Sequence, residues 1–343
     1  MSEDLSVVPE NTIEKTLEAA GFSVFLNLKY RAFCFDIIAR KDNNLIIIKV
    51  APNIDRLKTV QTDELKFLSH VLQATPIIIG EKNRRDPLED DTIYKRDEVI
   101  VLNLNTFRNL ILYNQNPHII AKRGGFIVRI DGPKLRQIRE AQNVSRSTIA
   151  AELGVSKKAI VNYEQDRMNI KLESMEVLKK RFKVDFTVPV EILQFQPKVE
   201  LPARQGESSF EKEVDEELVK LGFRTFWTKA APFDLFLNQI TQPDIDAGNN
   251  IKALTAWPHP IITGVAESEK SDLDKKIEVV SKLAEIKNKV LVIVDDASQI
   301  DSNAQIGVPL VEQDELKKFS SSTDLMRLVE KRSRKKKQDD APP

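Results

Sequence analysis

SRSTIAAELGVSKKAIVNYEQDR, residues 145–167, has the spacing of two short helices crossing at a tight turn. Ile149, Ala150 and Leu153 recur at helical intervals and share one face of a first helix, for which Ser145 is a favourable N-cap. Gly154 lets the chain turn where a side chain would be strained. Val155 plugs the turn, Ser156 caps the next helix, and Ile160 with Tyr163 returns that helix's apolar face to the core. Lys157, Lys158, Val161 and Asn162 are left outside. The major groove of DNA admits one α-helix, which reads base edges with the side chains of its first two turns. The pattern therefore predicts a DNA-reading helix over residues 156–165.

This run resembles the Cro/C1 type of helix-turn-helix, in which an Ala of the first helix, the turn Gly, and an Ile and Glu of the second recur; here they are Ala150, Gly154, Ile160 and Glu164. The resemblance implies base-facing positions for Lys157, Lys158 and Asn162. It puts Arg146, Ser156 and Arg167 where phosphates are held. One departure is Asp166, just after the second helix, where the family often has Gly; Asp tolerates a left-handed conformation less well and adds a charge that DNA repels. The competing reading is an ordinary helical hairpin whose lysines form a solvated face.

The surroundings complete a small domain. Leu135 and Ile138 supply a preceding helix opened by Gly132 and Pro133, and Leu172, Met175, Leu178 and Phe182 supply a following one. Residues 132–190 hold 12 Lys or Arg against 7 acids, and the tail 331–343 holds 6 against 2, whereas the whole chain sums to zero. Positive charge is thus concentrated where a phosphate backbone would be met.

At 343 residues the chain is long enough for about three domains. Its 30% charged and 41% hydrophobic residues are those of a globular protein without a membrane span, and the acidic start MSEDLSVVPE lacks the features of a signal peptide, so a cytoplasmic location is expected. Cys34, the single cysteine, reads as a packing residue. The three histidines make no metal-ligand spacing with it, and no Gly-rich phosphate loop is present, so neither metal nor cofactor is expected. Trp227 and Trp257 read as core or domain-contact aromatics.

The two ends repeat one pattern. IEKTLEAAGF (13–22) parallels VDEELVKLGF (214–223), FDIIAR from Phe35 parallels FDLFLN from Phe233, LIIIKV (45–50) parallels PIITGV (260–265), and PIIIGE (76–81) parallels KVLVIVDD (289–296). Each half reads as helix, strand, strand, helix, buried strand, which a duplication explains economically. The fold class is therefore α/β plus all-α. The expected parts are an α/β domain at 1–123, the helix-turn-helix domain at 124–190, a Pro-punctuated linker at 191–209, a second α/β domain at 210–330 and a basic disordered tail at 331–343.

An α/β unit with an Asp ending one strand and a Lys on the next resembles the PD-D/ExK nuclease-like domains, those of restriction endonucleases. That resemblance implies an Asp and a second acid holding Mg²⁺, with a Lys orienting the attacking water. Asp36 and Lys49 take two of these positions in the first copy, but the middle one falls on Ile47, which cannot coordinate a hard cation. In the second copy Asp234 remains, with Ile262 and Gly264 near the other two places. No catalytic residue is assigned on this basis.

The order of parts resembles a family of archaeal helix-turn-helix transcriptional regulators with degenerate nuclease-like domains around the helix-turn-helix. The expected function is sequence-specific regulation on double-stranded DNA, with the α/β domains as scaffold or homodimerisation modules. One alternative is a metal-dependent, structure-specific nuclease or repair factor using Asp36 and Lys49. Another is an adaptor that contacts the transcription machinery.

Overall fold

The computed structural model describes residues 10–27, 33–199, 206–239, 261–266, 273–286, 289–296 and 308–339. Trp257, the middle of the expected linker (200–205) and the last four residues of the expected tail lie outside these. Along the chain the first elements are α1 (Glu10–Ala19), β1 (Ser23–Asn27), β2 (Ile37–Lys41), β3 (Asn44–Asn53), a 3-10 turn at Ile54–Arg56, α2 (Thr59–Leu72), β4 (Thr75–Lys82), β5 (Thr92–Arg96), β6 (Val99–Leu102) and α3 (Leu104–Tyr113). Then follow β7 (Ile119–Lys122), β8 (Gly125–Ile130), α4 (Gly132–Ala141), α5 (Arg146–Leu153), α6 (Lys157–Glu164), β9 (Ile170–Lys171), α7 (Leu172–Phe182) and β10 (Thr187–Val188). The last stretch gives α8 (Ser209–Lys220), β11 (Phe223–Trp227), β12 (Leu235–Gln239), β13 (Ile261–Ala266), α9 (Leu273–Ile286), β14 (Val290–Val294), β15 (Leu310–Glu312), α10 (Gln313–Leu316) and α11 (Ser322–Asp339).

Two compact units result, and neither follows the expected boundaries. The first takes Met1–Phe22, Ile48–Leu57 and Thr75–Pro197; the second takes Ser23–Ile47, Lys58–Ala74 and Lys198–Pro343.

In the first unit the strand order is β3-β4-β6-β5-β7-β8-β10, with β9 also beside β8. The apolar runs of β4 and β6 are buried along nearly their whole length, as a sheet interior demands, and the two pair in parallel. The sheet does not stop at residue 123. β7 pairs in parallel with β5, turns at Gly124 and Gly125 (φ 94° and 128°) and pairs antiparallel with β8, which also carries β9 and β10. The helix-turn-helix domain is therefore built onto the α/β sheet.

The start of the expected linker is part of this unit as well. Val190 N–H donates to the Pro117 carbonyl at 2.9 Å, Ile192 N–H to Asn116 Oδ1 at 3.1 Å, and the Thr75 hydroxyl to the Leu193 carbonyl at 2.7 Å, while Ile192 is fully buried. Prolines without a sustained period suggested free chain; here they sit in a segment whose backbone groups find partners from other strands and loops.

The second unit holds the β1-β2 hairpin, α2 and a five-stranded sheet of order β11-β12-β13-β14-β15. The first three of these strands run antiparallel and the last three parallel. Val214, Leu218, Phe223, Leu235, Leu291 and Leu325 are among its buried core residues. The buried Glu64 of α2 accepts the N–H groups of Lys229 and Ala230 at 2.7 and 2.6 Å, and Phe67 packs edge-on against Phe236 at 5.3 Å. Trp227 is buried, as expected, and its indole donates to Asp215 at 2.7 Å.

The basic run 331–337 is a further correction to the expected disordered tail. It continues α11, which ends at Asp339. Among the described residues no helix is long and apolar enough to cross a membrane.

Candidate nucleic-acid interface

The reading motif forms as its spacing dictates. Ser145 accepts the Thr148 N–H at 3.0 Å and opens α5; Ser156 accepts the Ala159 N–H at 3.2 Å and opens α6. Between them Gly154 adopts φ 63°, and Val155 N–H returns to the Ala150 carbonyl at 2.9 Å. Ile149, Ala150, Ile160 and Tyr163 are buried with Leu135, Met175, Leu178 and Phe182. Burial pushes the Tyr163 phenol above its ordinary pKa, as an apolar surround does to any group that ionises to an anion.

The opposite face of α6 carries the predicted readers. Lys157 and Lys158 are exposed, and Val161 and Asn162 are half-buried. Since 161 and 162 follow 157 and 158 by four residues each, the four side chains form one patch. Arg167 is exposed just beyond the helix, its backbone N–H held by the Asn162 carbonyl at 3.0 Å. Ser156 is also exposed, with its oxygen engaged as the cap.

Arg146 has a different setting from the other expected phosphate contacts. Its guanidinium lies 2.8 Å from Glu164 Oε2, and Glu164 is almost wholly buried, 1% exposed. The other partner of Glu164 is Arg139, itself only 8% exposed, whose Nε donates to Oε1 at 2.5 Å. Arg139 Nη1 also donates to the Val144 carbonyl at 3.1 Å and Nη2 to Glu140 at 3.1 Å. The hydrogen bond to Glu164 raises the Arg139 pKa further and keeps the buried guanidinium charged. This ion pair ties α4 and α5 to the end of the reading helix. The sequence marked Glu164 only as a recurring family position; its partner, 25 residues away, carried no local signal.

Asp166, the departure from the expected Gly, has a structural use. It adopts φ 54°, and its carboxylate accepts the Gly132 N–H at 2.8 Å, pinning the start of α4 to the end of α6. Gly132 itself is required by proximity, because a Cβ there would stand 2.1 Å from the Tyr163 carbonyl oxygen. Asp131 caps α4 through the Lys134 N–H at 3.0 Å.

The nuclease-like positions offer less chemistry. Asp36, before β2, and Lys49, on β3, are both buried, and Ile47 between them in sequence is a fully buried aliphatic. In the second unit a cavity of about 450 Å³ is lined by Glu207, Glu211, Trp227, Lys229 and Asp234, among others. Its acids already have partners: Asp234 accepts the Val265 N–H at 2.6 Å, Glu211 accepts the N–H groups of Glu207 and Ser208, and Glu207 pairs with Lys229. Among the described residues no group of three or more His, Cys, Asp or Glu side chains is placed to share a metal ion. At the middle nuclease-like position Ile47 offers no ligand atom for a divalent cation.

A helix-turn-helix built onto a nuclease-like sheet defines a DNA-binding protein of the transcription-regulator class. Residues 10–117 match the PD-(D/E)XK superfamily domain, and residues 135–188 match the helix-turn-helix family. The chain belongs to a family of archaeal HTH-type transcriptional regulatory proteins. It is 30% identical to the Thermococcus gammatolerans member over 93% of this chain and 94% of that one, and 30% identical to the Pyrococcus horikoshii member over 93% and 96%. It is 31% identical to the Methanocaldococcus jannaschii member over 85% and 87%; all three bear the name "Putative HTH-type transcriptional regulatory protein". No solved structure matches the chain.

Proposed function

We propose that this protein is a sequence-specific, non-catalytic transcriptional regulator that acts on double-stranded DNA in the cytoplasm. The reading helix enters the major groove, with Lys157 and Lys158 on guanine acceptors, Asn162 on a purine edge and Val161 against a thymine methyl. Ser156 and Arg167 flank it at the phosphates, and Arg146 reaches a phosphate with the donors that Glu164 leaves free. The observation that carries this reading is the capped α6 with one face buried and Lys157, Lys158 and Asn162 together on the other.

We further infer that α8 to α11 are a second copy of the α/β domain. The order helix, three strands, helix, parallel strands recurs in both halves, and Asp234 stands before β12 as Asp36 stands before β2. Both copies serve as scaffold, and a homodimer on a palindromic site is the expected binding state. Selection of bound fragments from a random-sequence DNA pool tests the reading. A motif recovered by the native protein and lost in the Lys157→Ala, Lys158→Ala double variant is expected; uniform weak binding by both refutes it.

The match of residues 10–117 to the PD-(D/E)XK superfamily supports one second reading, a metal-dependent nuclease using Asp36 and Lys49. Nicking of branched DNA that requires Mg²⁺ and is lost in Asp36→Ala would establish it in place of the first.

A further inference from the structure

We infer that α8 to α11 close on the β1-β2 hairpin and α2 as an internal pseudo-dimer, so that one chain satisfies within itself the face through which two such α/β domains would pair. The inference rests on the two-copy reading proposed above.

Both halves run in the same chain order: α1, β1, β2, β3, α2 and β4 are matched by α8, β11, β12, β13, α9 and β14. The contacts between them are reciprocal in that order. α2 of the first half carries Phe67, whose ring centroid lies 5.6 Å from that of Phe226 on β11 and 5.3 Å from that of Phe236 on β12. α9 of the second half packs in turn against β1, the strand that β11 matches. Contact of one element with another, repeated with the roles exchanged, is the pattern of two-fold pairing, made here by a single chain.

Hydrogen bonds join the two loops that carry the nuclease-like Asp residues. The Cys34 N–H donates to the Ala230 carbonyl, linking the chain just before Asp36 to the chain just before Asp234. Glu64 of α2 accepts the N–H groups of Lys229 and Ala230 at 2.7 and 2.6 Å, and so satisfies two backbone donors of that second loop. The apolar part of the contact is closed to solvent: Cys34, Phe35, Phe67, Phe233 and Phe236 are each at most 1% exposed.

An aromatic face enclosed in this way leaves nothing for a second chain to cover. A homodimer on a two-fold DNA site then forms through other surfaces, and each closed α/β pair comes with one reading domain. Asp36, two residues from Cys34, is 2% exposed, so a DNA phosphate reaches it only if the contact opens. The nuclease reading would require that opening.

Sedimentation equilibrium of the full chain without DNA, combined with amide hydrogen exchange, tests the inference. A 39.0 kDa species is expected from about 1 to 100 µM. In Glu64→Ala the amides of Lys229 and Ala230 should exchange about tenfold faster, with Ile149 and Ile160 of the reading domain unchanged; Glu64→Gln, which keeps one acceptor oxygen, should fall between. Unchanged exchange at both amides in the two variants, or a native dimer that dissociates in Glu64→Ala, overturns the inference. A dimer that the variant leaves intact pairs through another surface and supports it. An experimental structure in which the second half does not superpose on the first overturns the two-copy reading instead, while the effect of Glu64→Ala would still report the contact.

Discussion

Replacing Glu164 by Ala should show that the reading helix is held in place by a buried charge pair as well as by apolar packing. The carboxylate is 1% exposed and takes 2.5 and 2.8 Å hydrogen bonds from Arg139 and Arg146. Removing one member of a buried pair strands the other and costs about 3–5 kcal/mol. Arg146 is one-third exposed and can turn to water, and Arg139 keeps Glu140 and the Val144 carbonyl, so the lower end, about 3 kcal/mol, is expected. The paired replacement Arg139→Met, Glu164→Leu removes both charges and should recover most of that loss. A chain of two compact units need not unfold in one step, so amide hydrogen exchange at Ile149 and Ile160 is the appropriate readout. It should rise by about a hundredfold in Glu164→Ala and by far less in the pair. An unchanged exchange rate in the single variant, or a paired variant as unstable as the sum of the singles, refutes the argument.

Gly132→Ala should destabilise the same domain by about 1–3 kcal/mol, because its Cβ would lie 2.1 Å from the Tyr163 carbonyl; exchange protection at Tyr163 and Glu164 reports it. The Asp185 carboxyl is pushed up by partial burial, but hydrogen bonds from Lys179 and Thr187 outweigh this and hold its pKa below the ordinary 3.8. A depressed folded pKa contributes stability that is complete above 3.8 and lost as pH falls towards the folded value. The group is nearly half exposed, so the contribution is at most about 1 kcal/mol. Asp185→Asn should flatten acid unfolding of this domain below pH 3.8 and change little at neutral pH, followed by tyrosine fluorescence.

The helix-turn-helix was legible because everything that specifies it is local. Caps at Ser145 and Ser156, the left-handed Gly154 and the apolar positions 149, 150, 160 and 163 act within a few residues of one another. The paired strands of both halves were legible for the same reason, as apolar runs between turn residues. Attachment of one element to another was not. The pairing of β7 with β5 joins residues 27 apart and leaves no period in the sequence, so a boundary was expected at residue 123 where the sheet continues. The ion pair of Arg146 with Glu164 joins residues 18 apart and leaves no local mark in the sequence, which gives Arg146 only a phosphate-facing position. Asp166 looked like a misfit because the acceptor it provides serves Gly132, on another helix.

The joined sheet changes what the reading domain can do. A helix-turn-helix on a flexible linker samples orientations and must lose that freedom on binding, whereas one fixed to a larger sheet has lost it during folding. Here the domain is entered through β8 and left through β10, both paired within the sheet, and its exit is held by Val190, Ile192 and Leu193. Orientation relative to the α/β sheet is therefore set before DNA arrives.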